Sequence, residues 1–169
     1  NVDYYIPDRA GEGYGMNVSA IETLKERGTK LIITVDNGIS AIEEIEKAKE
    51  LNIDVVVTDH HQAGDVLPDA VAVVDPHRKD CEMDFREWAG VGVAFKLVSA
   101  LADCDVYDLL EAYGDILAIG TIADIVALKG ENRILVRAGL AVLNEALING
   151  TLRKGLKALI DESGATKNM

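Results

Sequence analysis

Apolar, β-branched residues recur in short unbroken runs through the first half of the chain: Lys30 to Val35, Ile53 to Thr58 and Ala70 to Val74, with a shorter run at Val2 to Ile6. Runs of this length that do not alternate with polar residues predict strands buried on both faces. The segments between them have a different period. Ser19 to Arg27 places Ile21 and Leu24 on one side, and Ser40 to Leu51 places Ile42, Ile45, Ala48 and Leu51 together with Glu and Lys opposite, the spacing of helices that cover a sheet. Strand and helix alternate at short intervals, which predicts an α/β fold, a doubly wound parallel sheet flanked by helices.

After Pro76 the pattern changes. From Trp88 onward the spacing predicts helices over Val91 to Ala102, Val106 to Ile119, Asn132 to Ile148 and Thr151 to Ile160, with glycines at several boundaries, so the C-terminal half reads as mostly helical. No internal repeat or Pro/Ser-rich linker separates the halves, and residues 1–169 are taken as one unit.

With 169 residues, 49% of them hydrophobic, the chain is large enough to bury one substantial core. A net charge of −12 excludes a general basic surface of the kind that holds nucleic acid by phosphate neutralisation, so any such grip must be local. The same acidic excess supplies the oxygen donors that hard divalent cations require. No apolar run reaches the roughly eighteen residues of a membrane span, and no basic stretch with an apolar core and small-residue cleavage site opens the chain, which reads as non-membrane and non-secreted. Cys81 and Cys104 form neither a CxxC pair nor a disulfide framework and are read as small core residues in a reducing, cytoplasmic setting.

In an open α/β sheet the ligand site lies beyond the carboxyl ends of the strands. Two of those ends carry candidate chemistry: Asp36-Asn37-Gly38 follows the run ending at Val35, and Asp59-His60-His61 follows the run ending at Thr58. Singly, the first is an ordinary turn or cap signal and the second a pair of polar surface residues. Together, at adjacent parallel strand ends, they bring carboxylate and imidazole to one edge. That donor set suits Mn²⁺, Fe²⁺, Co²⁺ or Zn²⁺ better than Ca²⁺, and the placement of the cysteines excludes a zinc site built on thiolates. Asp124 is a single carboxylate inside the otherwise apolar Gly120 to Val126, and its burial needs a compensator: a metal, a helix amino terminus or a buried Arg such as Arg133.

The order of short segments along the chain resembles the DHH phosphoesterases, in particular their RecJ-type single-strand exonuclease branch. The resemblance rests on Tyr5-Ile6-Pro7-Asp8-Arg9, Glu12-Gly13-Tyr14-Gly15, Ile33 to Ile39, Val57 to His61 with the Asp59-His60-His61 tripeptide, Ala89 to Leu97, Gly120 to Asp124 and Gly130-Glu131-Asn132-Arg133. It implies that Asp36 bridges two divalent cations, Mn²⁺ or Mg²⁺, that His60 and Asp124 ligate one of them, that His61 contacts the scissile phosphate, and that Asp59 orients the neighbouring histidine. The implied activity is metal-dependent phosphodiester hydrolysis, 5′-to-3′ on single-stranded DNA, in DNA repair and recombination, with recombination or repair proteins as further partners.

Members of this family open with an Asp-x-Asp strand, and none precedes Asp36. Asp103-Cys104-Asp105 comes later and reads as a cap or surface pair. The chain is therefore expected to be a partial DHH domain, lacking that strand and the C-terminal substrate-binding domain. Gly11, Gly13 and Gly15 match no nucleotide fingerprint and read as a flexible loop, with Arg9 at its edge a candidate phosphate contact. His77 and Arg78, after Asp75-Pro76, would line the same sheet edge. Two other functions share much of this pattern: a relative acting on short oligoribonucleotides, 3′-phosphoadenosine 5′-phosphate or other small phosphoesters, and a non-catalytic scaffold that binds nucleic acid. Retention of Asp36, His60, His61 and Asp124 counts against the scaffold.

Overall fold

The computed structural model describes residues 2–164. Helix α1 (Val18–Glu26) starts where the Asn17 side chain accepts a 2.7 Å hydrogen bond from the Ala20 N–H, and it gives way at Gly28, whose φ of 81° only glycine adopts freely. Strand β1 (Leu31–Ile33) follows, then α2 (Ile42–Glu50), β2 (Asp54–Thr58) and β3 (Ala72–Val74). In α2, Glu43 and Glu44 occupy the first turn and Lys47 and Lys49 the last, each complementing the helix dipole. The strands form one parallel sheet in the order β1-β2-β3, with Ile32 opposite Val55 and Val57 opposite Val73.

This confirms the parallel sheet flanked by helices, but not strands buried on both faces. Ile21, Ile45, Ala48, Ile53, Val55 and Val57 form one closed core, with Ile32 and Val73 packed against it. Full burial is worth about 1.5–3 kcal/mol for each such aliphatic side chain. The alternate positions of the outer strands turn the other way: Leu31, Ile33 and Val74 are 50%, 47% and 39% exposed. Apolar runs alone cannot distinguish a central strand from an edge, and only β2 has a neighbour on each side. The run Val2 to Ile6 forms no strand. Val2, Tyr4 and Ile6 stand in solvent because no ladder partner lies alongside among the described residues.

The second half is helical: α3 (Gly90–Ala102), α4 (Val106–Ala123), α5 (Gly130–Asn149) and α6 (Lys154–Ser163). Trp88, Val93, Phe95, Leu109, Leu117 and Leu135 make its core. Helices α4 and α5 touch backbone to backbone at Gly114 and Gly139, where a Cβ on Gly139 would overlap the Gly114 carbonyl. Asp103 ends α3 in the left-handed region, and the Asp105 side chain caps α4 by accepting the Tyr107 N–H at 2.8 Å, so this pair serves as caps. The cysteines are not core residues: Cys104 is exposed and Cys81 half-buried. No helix among the described residues is long and apolar enough to cross a membrane.

Helix α4 extends to Ala123, four residues past the expected Ile119. Asp124 thereby becomes its C-terminal cap, at the negative end of an 18-residue helix dipole.

Candidate metal centre

β1 and β2 deliver their following residues to the same edge. The Asp36 N–H donates to the Thr58 carbonyl at 3.0 Å, which sets the first loop beside the second just as both strands end. Asp36 has φ of 65°, a left-handed conformation that Asp tolerates better than most residues but that still stores strain. Its carbonyl accepts a 2.7 Å hydrogen bond from the Tyr14 hydroxyl. Burial, followed by the charges of Asp36 and Asp59, pushes the Tyr14 phenol up and keeps it a donor.

Three donor atoms converge at His60. Its Nε2 lies 2.9 Å from Asp36 Oδ1 and 3.4 Å from Asp124 Oδ2. Yet Asp36 Oδ1 and His60 Nε2 are both buried and neither has a hydrogen-bond partner, because their approach is not aligned as a hydrogen bond. Close, buried, mutually unbonded donors are what a cation site looks like from the protein side. Asp36, His60 and His61 each offer a ligand atom within 4.8 Å of one another, a carboxylate and imidazole set that fits Mn²⁺ or a similar divalent ion. Burial pushes the Asp36 carboxyl up while the adjacent His60 pulls it down.

Asp59 is 1% exposed and fully used. One oxygen accepts the Ile39 N–H at 2.9 Å; the other accepts the His60 N–H at 2.8 Å and lies 2.6 Å from His61 Nδ1. That contact makes Nδ1 a protonated nitrogen, on a side chain 48% exposed. Burial alone would push the Asp59 carboxyl up, but these hydrogen bonds outweigh it and hold the group below the usual range.

The burial expected for Asp124 is not seen: the residue is exposed, so solvent reaches its carboxylate and no compensator is demanded, although His60 Nε2 stands 3.4 Å from Oδ2. The residue sits at a helix carboxyl end, not an amino end, and Arg133 is exposed with no ion pair to it. Anions there are disfavoured by about 0.3–1 kcal/mol, which a cation would reverse.

Arg9 lies one step out, its guanidinium 5.4 Å from the Tyr14 ring centroid, while the Tyr14 ring meets His61 edge-on at 6.1 Å. Asp75 is buried beyond β3, with Oδ1 accepting the His77 N–H at 2.7 Å and Oδ2 unpartnered; Arg78 is tied to the Val73 carbonyl and Asp80. Two contributors escaped the reading of the sequence. Tyr14 stood in Glu-Gly-Tyr-Gly, where the glycines were the stronger signal. Gly90, first residue of α3, looked like helix punctuation, but a Cβ there would lie 2.5 Å from Asp36 Cγ and 2.6 Å from its Cβ.

A strand-end carboxylate, an Asp-His-His tripeptide just after the next strand and a carboxylate from a helix end together form a candidate divalent-metal site. The profile of the DHH family, N-terminal domain, matches residues 1–121, and the chain belongs to that family. It is similar to the single-stranded-DNA-specific exonuclease RecJ of Bacillus subtilis (strain 168), 52% identical over 163 residues that cover 96% of this chain and 20% of that protein. The RecJ of Escherichia coli (strain K12) is 40% identical over 173 residues, 95% of this chain and 29% of that one. Among solved structures, exonuclease RecJ bound to manganese matches with TM-score 0.77 at 36% identity, covering 96% of this chain and 40% of that chain. RecJ from Thermus thermophilus in complex with Mn²⁺ gives 0.68 at 33% identity, over 89% of this chain and 22% of that one. The chain thus spans from a fifth to under a third of the length of the Bacillus and Escherichia exonucleases.

Proposed function

We propose that this chain is the metal-binding part of a cytoplasmic single-stranded-DNA exonuclease of the RecJ type, degrading 5′-to-3′ in repair and recombination. The observation that carries the reading is the convergence of Asp36 Oδ1, His60 Nε2 and Asp124 Oδ2 at a strand edge with no hydrogen bonds among them. Support comes from relatives named single-stranded-DNA-specific exonucleases and from structures of RecJ with manganese.

Asp36, His60 and Asp124 hold the metal in this reading, and divalent cations at such a site supply charge to the phosphoryl oxygens and ease deprotonation of the attacking water. Two ions of this kind need more oxygen and nitrogen donors than these three side chains offer. We read the chain as part of a DHH domain. The chain's own work is positional. Asp59 fixes the His61 ring and favours its imidazolium form, whose Nε2–H donates to a phosphate oxygen, and Arg9, held against Tyr14, makes a second phosphate contact. In-line attack depends on that rigidity.

The test is release of nucleotides from a 5′-labelled single strand by the intact gene product with Mn²⁺, with Asp36→Ala as the control for contaminating nucleases. Hydrolysis of oligoribonucleotides or 3′-phosphoadenosine 5′-phosphate in preference to the DNA strand would refute the substrate assignment.

A further inference from the structure

Helix α5 carries a groove that the metal centre does not use. It is a cavity of about 420 Å³ whose rim includes Leu128, Arg133, Arg137, Leu140 and Asn144, and no Asp or Glu lines it. Residues 133, 137, 140 and 144 follow the i, i+4, i+7, i+11 spacing of one helical stripe.

The two arginines are uncommitted. Arg27 pairs with Asp3, Arg78 with Asp80 and Arg153 with Asp115, and Arg86 donates to the Cys81 and Met83 carbonyls. Arg133 and Arg137 make no side-chain hydrogen bond or ion pair among the described residues, and both are exposed. In a chain of net charge −12 with 29 acidic residues, two neighbouring guanidinium groups without a carboxylate mark a locally positive strip. Guanidinium groups without an internal partner are suited to phosphate, which they grip in a bidentate way.

The strip starts a short chain distance from the metal centre. Leu128, 46% exposed, stands four residues after Asp124, so the chain can carry them at most about 14 Å apart. Leu128 and Leu140 add exposed aliphatic surface next to the arginines, and with no aromatic ring in the groove for bases to stack on, the grip falls on the phosphates.

We propose that this groove binds the phosphodiester backbone of the single-stranded nucleic acid leaving the metal centre, with Arg133 and Arg137 each engaging a phosphate. The inference rests on the exonuclease reading above and adds to it a second, non-catalytic subsite.

The test compares the intact gene product with its Arg133→Gln/Arg137→Gln and Arg133→Lys/Arg137→Lys variants. The probes are fluorescent oligo(dT), for binding across a salt series, and two substrates, a long DNA strand and a dinucleotide. The Gln pair should weaken oligo(dT) binding roughly tenfold and flatten the log–log salt slope by about 1.4, at about 0.7 per phosphate contact on a single strand. It should raise KM for the long strand while leaving kcat and dinucleotide hydrolysis unchanged, and the Lys pair should restore the salt slope. An unchanged slope and affinity in the Gln pair would overturn the proposal, as would equal losses on both substrates or preferential capture of a polyglutamate peptide over oligo(dT). Should the wild type cleave no DNA at all, the exonuclease reading falls, and the binding comparison still decides the fate of the groove.

Discussion

Replacing Gly90 with Ala tests whether the carboxylate of Asp36 is held in place by the start of α3. An added Cβ would lie 2.5 Å from Asp36 Cγ and 2.6 Å from Asp36 Cβ, and would overlap Oδ1 as well. Carbon atoms pack at about 3.5–4.0 Å, so one side must retreat by about 1 Å. The helix is anchored by the buried Trp88, Val93 and Phe95, whereas Asp36 lies on a loop at the sheet edge, so the loop gives way. A shift of that size takes Asp36 Oδ1 out of its 2.9 Å approach to His60 Nε2. Overpacking costs about 1–3 kcal/mol. The better helix propensity of Ala returns up to about 1 kcal/mol. Folding should therefore suffer modestly, while Mn²⁺ affinity falls about 10–100-fold, the usual result of disturbing a group that supports a ligand. Calorimetric titration with Mn²⁺ measures the second effect and a thermal melt without metal the first. Gly92→Ala is the control: its Cβ would meet Trp88 Cε3 at 2.8 Å, so it should lower the melting temperature and spare the metal. Wild-type Mn²⁺ affinity in Gly90→Ala would refute the reasoning.

Tyr14→Phe deletes the hydroxyl that clamps the Asp36 carbonyl, a loss of about 0.5–1.5 kcal/mol, and should weaken Mn²⁺ binding several-fold while the melting temperature moves little; equal affinity by the same titration would show the clamp to be idle. Asp75→Asn should stabilise the protein at neutral pH, because burial pushes this carboxyl up and an amide has no charge to desolvate; a lower melting temperature than wild type would contradict this. Asp59→Asn should destabilise the fold at neutral pH but not in acid. The folded carboxyl lies below its unfolded value of about 3.9, so its stabilisation is complete above that pH and lost as pH falls through the folded value, and denaturant melts of the two proteins should converge there.

Which parts of this arrangement were legible in the sequence follows from how local their causes are. The three sheet runs and the amphipathic periods of α1 and α2 are properties of consecutive residues, and the strand-end placement of Asp36 and of Asp59-His60-His61 follows from them directly. Edge exposure of β1 and β3 is not local, since Leu31 and Ile33 look as apolar as Val55 and Val57 until their neighbours are counted. Nor was the role of Asp124. Nothing within Gly120 to Val126 says whether the helix stops at Ile119 or Ala123, and those four residues decide whether the carboxylate lies in the following loop or caps the negative end of the dipole.

Of the four non-glycine residues with positive φ among the described residues, Asn52 and Asp103 end helices, and the other two lie at or beside the proposed ligands. Asp36 has φ of 65°, and Ile125, which directly follows Asp124, has φ of 58° and is 90% exposed. A left-handed β-branched residue is a true outlier, costing of the order of 1–3 kcal/mol, and solvent-exposed isoleucine gains nothing from burial to offset it. Asp36 and Asp124, the second in ordinary helical conformation, set two carboxylates against one imidazole nitrogen. A cation bound between them would neutralise the two charges that face the imidazole.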